Sequence, residues 1–193
     1  MRAQRLRMQI MAALFAGITA VCAQIAFPVP FSPVPFTGQT LAVALAATIL
    51  GARYGAIAMI IYTLLGAVGV RVFAEFNGGL HVLVGPTGGF IFGFILAAYV
   101  TGKMIERNRK PGFLWAMFAN AVGLVIIFTA GWIQLKFVAN LGWAEAAVAG
   151  VLPFIPTGIV KIVLASSIGI VVRRRLLNMG LLHPPIDENR TAA

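Results

Sequence analysis

The sequence contains very few charged residues. Only 10% of its 193 residues are charged, five of them acidic, whereas 60% are hydrophobic. Soluble domains carry about 25% charged residues, so this composition excludes a water-soluble globule. It indicates a single all-α integral membrane domain in a lipid bilayer.

Cysteine and histidine are also scarce. The single cysteine, Cys22, cannot form a disulfide within one chain or contribute to a zinc site of several cysteines. The two histidines, His81 and His183, are predicted on opposite sides of the membrane, and the predicted helices hold no pair of carboxylates. We therefore predict no catalytic residues, no metal and no cofactor, which disfavours an intramembrane enzyme. Because no Walker motif is found, any use of ATP would need partner subunits.

Long apolar runs dominate the chain instead. Runs of about 20 apolar residues are typical of membrane-spanning helices, and the sequence predicts six, over residues 8–26, 38–50, 54–70, 86–105, 113–139 and 157–172. The second and sixth are short for a hydrocarbon core of about 30 Å, which is typical of segments that line a cavity. The first has a basic start like that of a signal peptide, but we expect it to be retained as a helix.

The basic residues predict the orientation. Of the 15 lysines and arginines, all but Arg71, Lys136 and Lys161 lie in the turns and tails on one side of the predicted helices. By the positive-inside rule both termini face the cytoplasm, with residues 178–193 as a cytoplasmic tail. Since the net charge of +10 is spread over short flanking segments, it does not form the basic face that nucleic acids require.

Lys161 is the strongest functional signal. It ends the stretch "PFIPTGIVK" and precedes the uncharged stretch "IVLASSIGIVV". A lysine near the bilayer centre costs about 2.5 to 3.5 kcal/mol, and such residues usually face a polar interior on a ligand path. Pro156 favours a helix start with Thr157 as its cap, so helix amides and Lys161 would form a site for a carboxylate or a carbonyl oxygen. Alternatively, Lys161 caps carbonyls of an unwound neighbouring segment or pairs with an acidic residue.

Small residues recur every fourth position in two predicted helices. The "GPTGG" stretch at residues 85–89 begins one such series, which favours close helix packing. The other series consists of Ala12, Ala16 and Ala20, and it forms a flat face for a helix of this chain or of another. The proline-rich stretch "FPVPFSPVPFTGQT" at residues 27–40 is expected to be extended, either as a lid or as a rigid linker.

Three stretches carry a resemblance to a known family. They are "PVPFTGQTL" at 33–41, "GAVGVRVFAEFNGGLHVLVGPTGGFIFGF" at 66–94 and "PFIPTGIVK" at 153–161, together with the alanine series. They resemble the BioY family, the biotin-specific substrate-binding (S) subunits of energy-coupling-factor transporters, over about residues 8–177. The resemblance implies a six-helix S-subunit bundle in a bacterial-type cytoplasmic membrane, with an outward-opening pocket for biotin.

The resemblance also implies roles for individual residues. Members of the family hold biotin with residues that correspond to Asn77 and Lys161. The other expected substrate-binding residues are Phe36, Gln39, Arg71, Phe73, Thr87 and Thr157. The alanine series of the first helix is implied to dock on a transmembrane coupling subunit, which two ATP-binding subunits drive.

Two positions depart from the family pattern. An acidic residue usually lies three positions before the lysine, where this chain has Gly158, and Arg71 replaces a common proline. An S subunit for another small anionic or heterocyclic nutrient is therefore an alternative to biotin. A structural membrane protein that assembles through its small-residue faces is an alternative of another class.

Overall fold

The computed structural model describes residues 2–108 and 110–182, and almost all of its regular structure is helical. Two-residue strands β1 (Ala26–Phe27) and β2 (Phe36–Thr37) pair antiparallel, and 3-10 turns cover Ala74–Phe76 and Leu152–Phe154. The helices are α1 (Arg2–Gln24), α2 (Gln39–Ala67), α3 (Leu80–Val84), α4 (Gly88–Arg107), α5 (Phe113–Val138), α6 (Trp143–Gly150) and α7 (Ile155–Asn178).

Helix α2 reverses direction at Gly51. In a straight helix the 23-residue separation of Gln39 and Tyr62 would span about 34 Å, yet their side chains hydrogen bond at 2.5 Å. Similarly, a Cβ on Gly55 would lie 3.2 Å from the Cα of Ala47. Gly51 allows the reversal because its φ of +82° lies in the left-handed region, which glycine adopts without strain. The two arms of α2 are therefore an antiparallel helical hairpin.

Charged side chains from two other helices hydrogen bond to the backbone groups that lose their helical partners at this reversal. Arg173 of α7 is buried and donates to the carbonyl oxygens of Thr48 and Ile49 at 3.3 and 2.9 Å. On the other arm, the Glu106 carboxylate of α4 accepts the Ala52 amide at 3.1 Å. A cation at a helix C-terminus and an anion at a helix N-terminus both match the helix dipole. These contacts allow the chain to turn sharply in apolar surroundings.

The apolar surface of the bundle identifies a multi-pass membrane protein. Five helical segments of the described chain are long and apolar enough to cross a bilayer, and α2 counts as one of them. Large apolar side chains such as Leu14, Phe118 and Ile168 are exposed on α1, α5 and α7. Such a surface is stable where lipid rather than water covers it.

The predicted all-α class is confirmed, and the six predicted segments correspond to α1, the two arms of α2, α4, α5 and α7. The short sixth helix is a wrong prediction, because α7 runs from Ile155 to Asn178. The arginines at 173–175 end the apolar run but not the helix, since arginine is a good helix former. Residues 183–193, with His183 and most of the predicted tail, lie outside the described residues.

The alanine series of α1 packs inside the chain. Ala12 and Ala16 are 0% and 1% exposed and belong to the same buried cluster as Val43 and Ala47 of α2. Ala20 is half-buried against that cluster. This burial corrects the docking prediction, because Ala12 and Ala16 have no surface left for a partner subunit. In this conformation the alanine series packs against a helix of the same chain, which was the alternative to docking.

The packing of α1 gives a first prediction. Ala16→Leu should lower the melting temperature of the purified protein in detergent, because overfilling a packed core costs about 1–3 kcal/mol. The matched control is Ala13→Leu, at an exposed position of the same helix, which should leave the melting temperature unchanged. Equal melting curves for the two variants would show that the Ala16 side of α1 is not tightly packed.

Candidate binding site

A cavity of about 290 Å³ lies at the end of the bundle opposite the α2 reversal. Its wall is formed by the proline-rich loop, the start of α2, the segment 73–77, the α3–α4 turn, α5 and the start of α7. Most of the lining groups are apolar, including Phe73, Phe90, Phe128 and Phe154. A volume of this size is at the lower end of the range for small-molecule sites, about 300–1,000 Å³.

Lys161 reaches the cavity from α7. Its ammonium donates to the carbonyl oxygen of Thr37 at 2.6 Å and to the Thr40 hydroxyl at 3.0 Å. An ammonium has three N–H donors, so one remains for a molecule in the cavity. Lys161 thus caps a carbonyl at the entrance of α2, as the structural alternative expected, and also lines the candidate site.

A chain of hydrogen bonds fixes the wall beside Lys161. The Thr37 hydroxyl donates to Gln39 Oε1 at 2.8 Å, and Gln39 Nε2 donates to the Tyr62 hydroxyl at 2.5 Å. Tyr62 in turn donates to the Val72 carbonyl at 3.1 Å and packs edge-on against Phe73, with ring centroids 5.5 Å apart. Gln39 therefore shapes the cavity, with both ends of its amide already bonded to protein.

The segment 73–77 is held in place by a glutamine of α1. Gln24 Nε2 donates to the Phe73 carbonyl at 3.1 Å, and Gln24 Oε1 accepts the Phe76 amide at 2.9 Å. Glu75 and Phe76 adopt positive φ values of 58° and 57°, a conformation that costs about 1–2 kcal/mol per residue and needs such support. This conformation places Glu75 and Asn77 on the exposed part of the cavity wall.

A second glutamine holds the α3–α4 turn. Gln134 Nε2 of α5 donates to the carbonyl oxygens of Leu83 and Gly85 at 2.7 and 2.8 Å. A Cβ on Gly88 would lie 1.8 Å from the Leu83 oxygen, so only glycine permits this approach. The turn brings Thr87 into the cavity wall.

The structure brings five of the eight predicted substrate-binding residues to the cavity. The lining residues among them are Gln39, Phe73, Asn77, Thr87 and Lys161. Phe36 is not a lining residue but packs on Phe154, which is, with ring centroids 4.7 Å apart. The Thr157 hydroxyl donates to the Phe154 carbonyl at 3.1 Å inside the first turn of α7, which begins at Ile155, so Thr157 is not its cap.

The structure does not place Arg71, a predicted substrate-binding residue, in the cavity wall. Its side chain is exposed. The proline-rich loop, by contrast, supplies Pro33, Val34 and Pro35 to the wall. This loop therefore covers part of the cavity and does more than separate α1 from α2.

Several residues of the site were not predicted from the sequence. Glu75 and His81 line the cavity near its opening, and Tyr62, Gln24 and Gln134 support its wall from behind. A signal for the two glutamines was available, because each lies in a mainly apolar segment, where an amide must find a partner. Their partners lie 49 to 52 positions away along the chain, a separation that local patterns do not reveal.

Comparison with known proteins extends these observations. A sequence profile described as the BioY family matches residues 1–178. The chain is 41% identical over 169 residues to the biotin transporter BioY of Thermotoga maritima, covering 88% of this chain and 97% of that protein. It is 38% identical to the probable biotin transporter BioY of Pyrococcus horikoshii, covering 85% and 92% of the two chains.

One solved structure has the same fold. The crystal structure of the S-component for biotin from an ECF-type ABC transporter matches with a TM-score of 0.85 and 22% sequence identity. The match covers 90% of this chain and 94% of the other. At this identity the similarity concerns the overall arrangement of the helices.

The hydrogen-bond chain behind the cavity gives a second prediction. Tyr62→Phe should lower the melting temperature, because it leaves the buried Gln39 amide without a partner, at a cost of about 1–3 kcal/mol. Tyr99→Phe makes the same chemical change at an exposed tyrosine of α4 and should have no effect. If thermal unfolding in detergent gave the same temperature for both variants, Tyr62 would not support the wall.

Proposed function

Because this chain belongs to the BioY family, we propose that it captures biotin as the substrate-binding subunit of a vitamin transporter. The names of its relatives support biotin as the ligand. We place the protein in the cytoplasmic membrane, with the basic turns inside and the cavity facing outward. In this proposal the chain performs no chemistry of its own.

The observation that carries this proposal is the ammonium of Lys161 inside a mainly apolar cavity. Biotin combines an apolar thioether ring and alkyl chain with two oxygen-bearing ends, a carboxylate and the carbonyl of a fused ureido ring. The remaining N–H donor of Lys161 suits either end. The aromatic walls suit the ring and the chain, since apolar enclosure supplies most of the binding free energy in such sites.

Gly158 favours keeping another nutrient as a second candidate. It lines the cavity one turn before Lys161, and a Cβ there would meet Leu124 Cδ2 at 2.7 Å. No carboxylate is therefore available at this position to accept the N–H groups of a ureido ring. Among the lining residues of the described chain, Glu75 is the acidic one, and it lies in the exposed segment 73–77.

Lys161 gives the third prediction. Equilibrium binding of labelled biotin to the purified protein should be saturable, and Lys161→Met should weaken it by at least about tenfold, as expected for one hydrogen bond to a charged group. Lys136→Met is the matched control, because Lys136 contacts the rings of Phe137 and Trp143 and does not line the cavity.

The outcomes of this experiment have separate meanings. Absence of saturable biotin binding by the unsubstituted protein would contradict biotin as the ligand and favour another nutrient. Equal affinities of the unsubstituted protein and Lys161→Met would remove Lys161 from the site. If Lys136→Met lowered the affinity for biotin as much as Lys161→Met does, the effect would be a general one of removing a lysine.

We also propose partners for this subunit, namely a transmembrane coupling subunit and ATP-binding subunits. On the inner side of the cavity, the buried Asn120 amide donates to the hydroxyls of Thr48 and Ser166, which are also buried. A molecule in the cavity therefore meets packed protein on the side opposite the opening. Its release to the other side requires movement of the subunit, for which ATP hydrolysis by partners supplies the energy.

A fourth prediction tests these partners. Membrane vesicles containing this chain alone should bind, without ATP, no more biotin molecules than there are copies of the protein. Vesicles that also contain the coupling and ATP-binding subunits should accumulate biotin beyond that number when supplied with ATP, but not with a non-hydrolysable analogue. Accumulation by the chain alone at the same rate would contradict the need for partners.

A further inference from the structure

We propose that one water molecule in a second, smaller cavity links Thr40 to Thr101 and Asn120 and so positions the Lys161 ammonium for its ligand. This inference rests on the proposed function, because it concerns how Lys161 meets that ligand. Thr101 and Asn120 do not line the larger cavity. They would act on the ligand only through Thr40 and Lys161, as positioning residues.

The second cavity has the size and the lining that a water molecule needs. Its volume is about 20 Å³, and it lies behind the larger cavity, with which it shares Thr40, Leu124, Gly158 and Lys161. A site of at least about 10–15 Å³ with two to four polar partners is sufficient for a buried water. Three partners other than Lys161 line it, namely Thr40, Thr101 and Asn120.

Thr40 provides a donor for this water. Its hydroxyl oxygen accepts a hydrogen bond from Lys161 at 3.0 Å. Its hydroxyl hydrogen then needs an acceptor of its own, and among the described residues Thr40 donates no hydrogen bond to protein. Because Thr40 lines both cavities, a water in the smaller one is placed to accept that hydrogen.

Asn120 and Thr101 provide the acceptors. Asn120 is 2% exposed, and its Nδ2 donates to the hydroxyls of Thr48 and Ser166 at 3.1 and 3.0 Å. Its Oδ1 has only a longer contact of 3.3 Å with Thr48, so an acceptor site remains. Thr101, also 2% exposed, uses its hydroxyl hydrogen on the Ala119 carbonyl at 3.2 Å, which leaves its oxygen free to accept.

Small residues create the space. Ala44 and Ala47 of α2 and Ala97 of α4 line the cavity, and a Cβ on Gly123 would lie 2.3 Å from the Thr101 hydroxyl oxygen. Larger side chains at these positions would fill the volume and remove the water. The arrangement gives Lys161 three defined partners, which are the Thr37 carbonyl, the Thr40 hydroxyl oriented by the water, and the ligand.

The test is a double-mutant cycle on biotin affinity. Thr101→Val replaces a hydroxyl by a methyl of similar size and should weaken binding about two- to tenfold, as expected for one hydrogen bond. In a Thr40→Val background, where the link to the water is already broken, Thr101→Val should have no further effect. Thr101→Ser, which keeps the hydroxyl, should restore the affinity.

Thr63→Val is the matched control. Thr63 is also buried and bonded to a carbonyl, that of Met59 at 2.8 Å, but it lines neither cavity. Its substitution should leave the affinity unchanged. If Thr101→Val does not fold, Thr101→Ala compared with Thr101→Ser measures the same hydroxyl.

Two failures are distinguishable in this cycle. Lack of biotin binding by the unsubstituted protein contradicts the proposed function. Normal binding by that protein, combined with an unchanged affinity in Thr101→Val or with equal losses in both backgrounds, overturns the water-mediated positioning of Lys161.

Discussion

The contact between the Lys161 ammonium and the Thr37 carbonyl joins the two segments that form the site. Thr37 ends β2, two residues before the first residue of α2, while Lys161 lies in the second turn of α7. Neither group is stable alone in apolar surroundings, since an unpaired carbonyl and an unpaired ammonium are both strongly disfavoured there. Their bond ties the entrance of α2 to the start of α7, and the cavity lies between these elements.

The same constraint explains two other interruptions of the helices. The α2 reversal at Gly51 is covered by Arg173 and Glu106, and the α3–α4 turn by Gln134. Each of these side chains comes from a helix that packs beside the interruption. In a membrane protein, backbone without helical hydrogen bonds is tolerated only where other protein groups or water satisfy it. Polar side chains of neighbouring helices therefore satisfy the backbone groups at both bends.

The length and polarity of the apolar runs were sufficient to predict six helical segments and to mark Lys161. They could not predict where α7 ends, because the arginines that end its apolar run also favour helix. A series of alanines defines one face of α1 but does not identify its neighbour, so Ala16 was assigned to a partner although it packs on α2. Gln24 was not identified because its partners depend on how α1 packs against the segment 73–77.

The polar groups of the bundle are arranged by depth, and this arrangement limits what the chain can do alone. Asn77 and Glu75 lie near the opening, Lys161 lies deeper, and Asn120 bonds to Thr48 and Ser166 beyond it. The deepest groups are bonded mainly to one another, so they stabilise the packing and provide no continuous wide path. A ligand that enters from the open end can therefore be bound by this fold without being released at the other end. This arrangement of polar groups therefore supports binding at the open end of the bundle.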